Sequence, residues 1–236
     1  MQRLLGWHQR IGRFGLRLLC LHVLWLAWTL RGGVVFGIFP ATSAVHGVLR
    51  DDARFARQHP DDWPPLRGLR ARFAQLWRAE FAAANRLGTL LGVIWAVLLV
   101  DRVLVTRLDF SSLGGPESLG PVLAGAHTVA GVVLALLTMV VWPLQAHFDD
   151  GARVLLRRSL VLVAGRPMIA ALTAAGGGLV VCAYYLVPGL VPVFGVTAPA
   201  AMATACLWRT GVLAAPAPAS AHAPIPAAHP SLATTH

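Results

Sequence analysis

Residues 33–50 read GVVFGIFPATSAVHGVLR. The first seven would suit a buried strand or a membrane span. Pro40 then interrupts the apolar run, and four small residues follow it: Ala41, Thr42, Ser43 and Ala44. Arg31 and the pair Gly32-Gly33 stand just before. A proline removes a backbone donor and fixes φ, so it is disruptive in the middle of a regular element. How the chain accommodates it decides the architecture on either side.

The wider composition says where that stretch sits. The chain has 236 residues, 56% hydrophobic and 13% charged, with mean hydropathy +0.64. A soluble domain carries about 25% charged residues. Half of that, spread over several long apolar stretches, points to an all-α bundle that crosses a membrane several times. The formal charge is +10 and there is no lysine. The arginines lie in the connections between apolar runs, the pattern of loops facing an anionic inner leaflet rather than of a nucleic-acid interface.

Leu18–Leu30 is the first apolar run, behind a basic lead containing Arg3, Arg10, Arg13 and Arg17. Thr42 and Ala44 imitate a signal-peptidase site, but Arg31 intervenes and further spans follow, so the run is read as a retained span. Residues 50–86 form the main polar segment. In it Leu66, Leu69, Phe73, Leu76, Trp77, Phe81 and Ala84 recur at helical spacing, which predicts an amphipathic helix feeding into the next span. It is expected on the membrane surface; the plainer alternative is a helix docked on the bundle.

Further spans are expected over 87–105, 121–144, with Trp142 at the interface, 168–187 and 193–208. Pro167 is pre-set for a first helical turn. Gly176-Gly177-Gly178 permits close helix approach, and PGLVP at 188–192 is a tight break. Residues 1–211 make one membrane domain. The Ala/Pro-rich segment 212–236 has the composition of a disordered tail.

Counting arginines orients the chain. Eight lie in 50–86, four in 145–167 and one, Arg107, in 106–120. The first two connections therefore face the cytoplasm and the third faces out. A single crossing over 18–49 would leave the basic N-terminus outside. A hairpin resolves this: up through 14–31, a turn at Arg31-Gly32-Gly33, and back through 34–49. Six passages result, with both termini cytoplasmic; the alternative is five with an external N-terminus. In the hairpin, Pro40 starts the returning helix partway through the bilayer, at the first helical position, where its missing N–H costs nothing. Ala41, Thr42 and Ser43 then form a first turn whose free N–H groups point inward. Transporters with broken helices hold anionic groups this way. The simpler reading is that the small residues pack closely and the hydroxyls bond back to their own helix.

Other polar residues inside the runs are few. Asp101-Arg102 sits at a span end, where charges snorkel to the interface, and His127 lies near the start of its span. Cys20, Cys182 and Cys206 lie in apolar runs as small hydrophobes, with no CxxC pair. His147, Asp149 and Asp150 read as solvated loop residues. His222, His229 and His236 are too dispersed for a metal, and no cofactor is expected.

GVVFGIFPATSAVHGVLR resembles the signature of the YesL family of bacterial integral membrane proteins, a family of unknown function. FAQLWRAEFAAANRLG (73–88) is similar to the family's aromatic-basic segment ending in Asn before a span, with Phe81 and Asn85 matching. WPLQAHF (142–148), RPMIAAL (166–172) and VPGLVPVFG (187–195) fit its general pattern. The resemblance carries no catalytic residues. It implies a neighbourhood of carbohydrate-utilisation and sugar ABC-transport genes. The function expected is therefore a non-enzymatic component of the bacterial plasma membrane, accessory to carbohydrate uptake. Its partners would be the lipid bilayer, sugar-transporter permeases or a homo-oligomer. The alternative is a small secondary transporter with its site near Pro40. Such a carrier needs buried ionisable groups, for which Asp101 and His127 are the candidates. No GxxxxGK[ST] loop is present to use ATP.

Overall fold

A computed structural model describes residues 2–60, 62–107 and 119–213, and among them every regular element is an α-helix. The helices are α1 (Gln2–Arg31), α2 (Val35–Gln58), α3 (Leu69–Arg107), α4 (Leu119–His147), α5 (Ala152–Gly165), α6 (Pro167–Leu186), α7 (Leu190–Phe194) and α8 (Thr197–Arg209). Most of the 106–120 connection, and the tail from 214 on, lie outside the described residues. The chain is packed as far as Leu213, two residues into the segment assigned to the tail, and that side chain is buried in the core.

The hairpin is present. Gly32, Gly33 and Val34 N–H groups donate to Trp28, Leu30 and Thr29 carbonyls at 3.0–3.1 Å, which closes the end of α1. Gly33 takes φ +74°, a conformation that costs glycine nothing. Gly37 lies directly on the Thr29 backbone, where a Cβ would collide. The two arms therefore start in backbone contact and run antiparallel.

The returning arm is not broken. α2 begins at Val35 and continues through Pro40 to Gln58, so Pro40 is inside the helix and not at its first position. The charged stretch RDDARFARQ is the last part of the same helix, not a loop. From Pro40 to Leu49 every residue but Thr42 is buried. α1, α3, α4 and α8 all pack on α2. Small residues along it allow that enclosure: a Cβ on Gly47 would press on the Leu76 side chain.

α3 joins the amphipathic segment and the following span into one helix of 39 residues. At 1.5 Å per residue it is about 58 Å long, nearly twice a bilayer core of about 30 Å. Its first half turns Leu69, Phe73 and Leu76 into the bundle, so the amphipathic face is docked on the protein and not laid on the membrane surface, because those side chains are enclosed by α1 and α2. Its second half exposes Val93, Val97, Val100 and Leu104, as a lipid-facing surface does.

Among the described residues, four helical segments are long and apolar enough to cross a membrane: Ile11–Arg31, Leu69–Arg107, Gly120–His147 and Pro167–Leu186. Two further arms were expected, over 34–49 and 193–208. They form as α2, which lies inside the bundle and ends in charge, and as the short pair α7 and α8. The sequence also places Trp142 at an interface; instead it is buried and stacks on Phe39 at 6.2 Å. α4 continues past it to His147.

Pro167 takes the first turn of α6 as expected. Gly176 faces Met202 of α8 and Gly177 faces Met139 of α4, each too close for a Cβ. α5 is a short helix where the sequence reading had a connection. Of the cysteines only Cys206 is buried; Cys20 is half-buried and Cys182 exposed.

Candidate functional site

In an α-helix the N–H of residue 40 would bond the carbonyl of residue 36. Proline has no N–H, so the Phe36 carbonyl is left without its helical donor. Asn85 Nδ2 of α3 donates to that oxygen at 3.1 Å, and also to Phe81 O at 2.9 Å. The proline of the opening stretch and the asparagine that ends the amphipathic segment are therefore one structural unit. Asn85 supplies from a neighbouring helix the donor that Pro40 withholds.

Two steps along α2, Thr42 Oγ1 donates back to Ile38 O at 2.8 Å and accepts from Trp25 Nε1 of α1 at 3.1 Å. The hydroxyl thus bonds its own helix, and the turn holds no free row of N–H groups. Ala41 is fully enclosed. Ser43 Oγ is buried without a partner. One turn on, His46 Nδ1 lies 3.1 Å from Thr204 Oγ1 of α8. His22 stacks on Trp25 at 5.7 Å, and its ring occupies the space that a Cβ on Gly195 would need.

Asp101 and His127 are brought together. His127 Nε2 pairs with Asp101 Oδ2, and its Nδ1 lies 2.7 Å from Leu123 O. The carboxylate therefore meets a histidine on the next helix, while its neighbour Arg102 makes no ion pair among the described residues. At the other end of the bundle, Arg17 of α1 binds the Asp52 carboxylate of α2 with Nε and Nη2, and its Nη1 reaches Pro64 O and Pro65 O at 3.2 and 3.3 Å. Burial pushes the Asp52 carboxyl above its ordinary value, against the opposing pull of Arg17. Asp51 takes Arg72 of α3 at 2.8 Å and its neighbour Arg50 at 3.0–3.1 Å. Arg50 also donates to Ala146 O of α4. Asp150 pairs with Arg158, whose guanidinium covers Phe148. Among the described residues no three His, Cys, Asp or Glu gather so as to hold a metal ion.

A relative from Bacillus subtilis (strain 168), described as uncharacterized protein YteU, is 33% identical over 177 residues, which are 75% of this chain and 72% of the relative. The chain belongs to the YesL-like family. The uncharacterized protein YesL of the same organism is 29% identical over 167 residues, 71% of each chain. YesV, also uncharacterized, is 27% identical over 175 residues, 74% of this chain and 77% of that one. The family model described as a protein of unknown function, DUF624, matches residues 18–102. No solved structure matches. The matched region runs from within α1 to within the last turns of α3, so it contains the hairpin, Pro40 and Asn85. The protein is thus a multi-pass, all-helical member of the YesL-like family whose most specific sequence motif is explained by helix packing.

Proposed function

We propose that the protein is a non-catalytic component of the bacterial plasma membrane, associated with carbohydrate uptake or utilisation. In this reading its arginine-rich end and C-terminus face the cytoplasm. The observation that supports it is where the polar side chains go. Arg17–Asp52, Arg72–Asp51, Arg50–Ala146, Asn85–Phe36 and His46–Thr204 each tie one helix to another. Enzymes and carriers direct such groups towards a substrate; here they hold a scaffold. The link to sugars rests on the gene neighbourhoods that the family resemblance implies, and it makes transporter permeases the partners to look for.

The test is affinity purification of the tagged full chain from native membranes, with growth of a deletion strain on a panel of sugars. Co-purification of sugar ABC permeases, with slower growth on particular sugars, is expected. No permease above an unrelated membrane-protein control, with unchanged growth throughout, would reject the reading. Ser43, buried and unpartnered one turn from His46, favours a second reading, a small secondary transporter with its site near Pro40. Uptake by proteoliposomes that Ser43→Ala or Thr42→Val abolishes would establish that reading instead.

A further inference from the structure

At the arginine-rich end a cavity of about 550 Å³ opens between α1, α2, α8 and the connection that follows α2. Its size lies in the range of small-molecule sites, about 300–1,000 Å³. Three properties define what it would accept. Its floor is apolar, from Leu18, Leu49, Ala53 and Ala201. Its deep wall is the Arg17–Asp52 pair, whose charges cancel and whose side chains are only 10% and 17% exposed. Arg17 also holds the Pro64 and Pro65 carbonyls, which fixes Trp63 at the edge of the cavity as a roof.

The rim carries the free charge. Arg57 lies over the Trp208 ring at 4.6 Å, and Arg209 follows directly. Neither guanidinium has a carboxylate partner among the described residues. Against these two cations the described lining residues offer one unpaired carboxylate, Asp62. Phe14 of α1 and Ala205 of α8 are both exposed where they line the cavity, so the opening also faces sideways. Phe14 and Leu18 belong to a segment apolar enough to span the membrane. The floor therefore continues the apolar surface of the span, while the rim carries arginine and tryptophan, the side chains of the headgroup layer.

We propose that this cavity binds a phosphate ester carrying an apolar body, with the phosphate held by Arg57 and Arg209 and the apolar part against Leu18, Leu49 and Ala53. A guanidinium presents paired N–H donors that match phosphate oxygens. Basic pockets between membrane helices bind anionic headgroups by the same means. The phosphate comes either from an anionic phospholipid, entering through the lateral opening, or from a soluble phosphate ester.

The test uses the full chain in neutral detergent. Native mass spectrometry measures binding of phosphatidylglycerol, phosphatidylcholine and n-hexyl phosphate. At least tenfold preference for phosphatidylglycerol over phosphatidylcholine, with no competition by n-hexyl phosphate, identifies a lipid. Competition by n-hexyl phosphate at comparable concentration identifies a soluble ester. Either result requires that Arg57→Gln with Arg209→Gln lower the affinity about tenfold or more, and that Ala56→Leu, which narrows the mouth without changing charge, lower it too. Arg157→Gln with Arg166→Gln, on α5 and the turn after it, should change nothing. Equal retention of both lipids with no binding of n-hexyl phosphate would overturn the proposal. So would undiminished binding in the Arg57/Arg209 double variant, or an equal loss in the Arg157/Arg166 control. Thermal midpoints within a few degrees of the parent certify each variant as folded; if the glutamine pair does not fold, Arg57→Gln and Arg209→Gln singly must each lower the affinity, and undiminished binding in both overturns the proposal.

Discussion

If Asn85 is the donor that Pro40 lacks, the two residues must be energetically coupled, and a double-mutant cycle measures it. Asn85→Leu nearly preserves volume but leaves Phe36 O, at 3.1 Å in the parent, with no donor. Phe36 lies on the exposed apolar surface of the bundle, where hydrocarbon supplies no replacement donor, so stranding its carbonyl costs about 1–3 kcal/mol. Two features reduce the net effect. Phe81 O, the other acceptor, already receives the Asn85 backbone N–H within α3. Asn85 Oδ1 is itself buried without a partner, so leucine relieves that cost. About 1–2 kcal/mol of net destabilisation is therefore expected. In Pro40→Ala the alanine N–H reaches Phe36 O as in any helix, and Asn85→Leu should then cost nothing or stabilise slightly. The coupling energy is thus about 1–2 kcal/mol, beyond the roughly 0.3–0.5 kcal/mol scatter of independent sites. Pro40→Ala alone should be neutral or stabilising, since an interior proline otherwise costs a helix about 3 kcal/mol. The assay is reversible unfolding in mixed micelles with a rising fraction of denaturing detergent. An equal cost of Asn85→Leu in both backgrounds would refute the reasoning.

Phe39 fills the space over Gly88 where a Cβ would strike its ring. Gly88→Ala should therefore cost about 1–3 kcal/mol as overpacking, and Phe39→Leu should recover part of it in the same unfolding assay. Arg17→Met should destabilise by about 3–5 kcal/mol near neutral pH by stranding a buried carboxylate. The pH sign follows from Asp52. Without Arg17 its folded pKa, already raised by burial, rises further above the unfolded value. The loss should then be smallest below the unfolded pKa, about 3.9, and grow as pH rises through the folded one. Unfolding midpoints of variant and parent measured across pH check this; a loss that shrinks as pH rises contradicts it. Asp101→Asn and His127→Gln should each leave the unfolding midpoint nearly unchanged, because the carboxylate side is 58% exposed and such a pair contributes little.

Apolar periodicity and arginine counting were enough to read the helical class, the turn at Gly32-Gly33, the apolar stripe of α3, though not that it docks on the bundle, and the proline that starts α6. Each depends on residues close together in sequence. What could not be read depends on partners far apart. Proline rules predict a break at Pro40, and the donor that lets α2 continue belongs to Asn85, 49 residues beyond the carbonyl it serves. Asp101 stands beside Arg102, yet its partner is 26 residues away on the next helix. Trp142 resembles an interfacial anchor until Phe39 is found stacked on it. Arg153, Arg157 and Arg158 interrupt the apolar pattern that marks a span, and the helix they lie on, α5, fully buries only Leu155 and Ser159. The cavity beneath Trp63 draws on four chain segments with no shared motif.

The hairpin is the central claim, because it places the basic N-terminus on the same side as the 50–86 and 145–167 connections. Single cysteines at Gln2 and Ser112, in a chain with Cys20, Cys182 and Cys206 replaced by alanine, test it in intact cells with a membrane-impermeant maleimide. The account predicts labelling at position 112 and none at position 2 until the cells are opened. Labelling at position 2 in intact cells would contradict it.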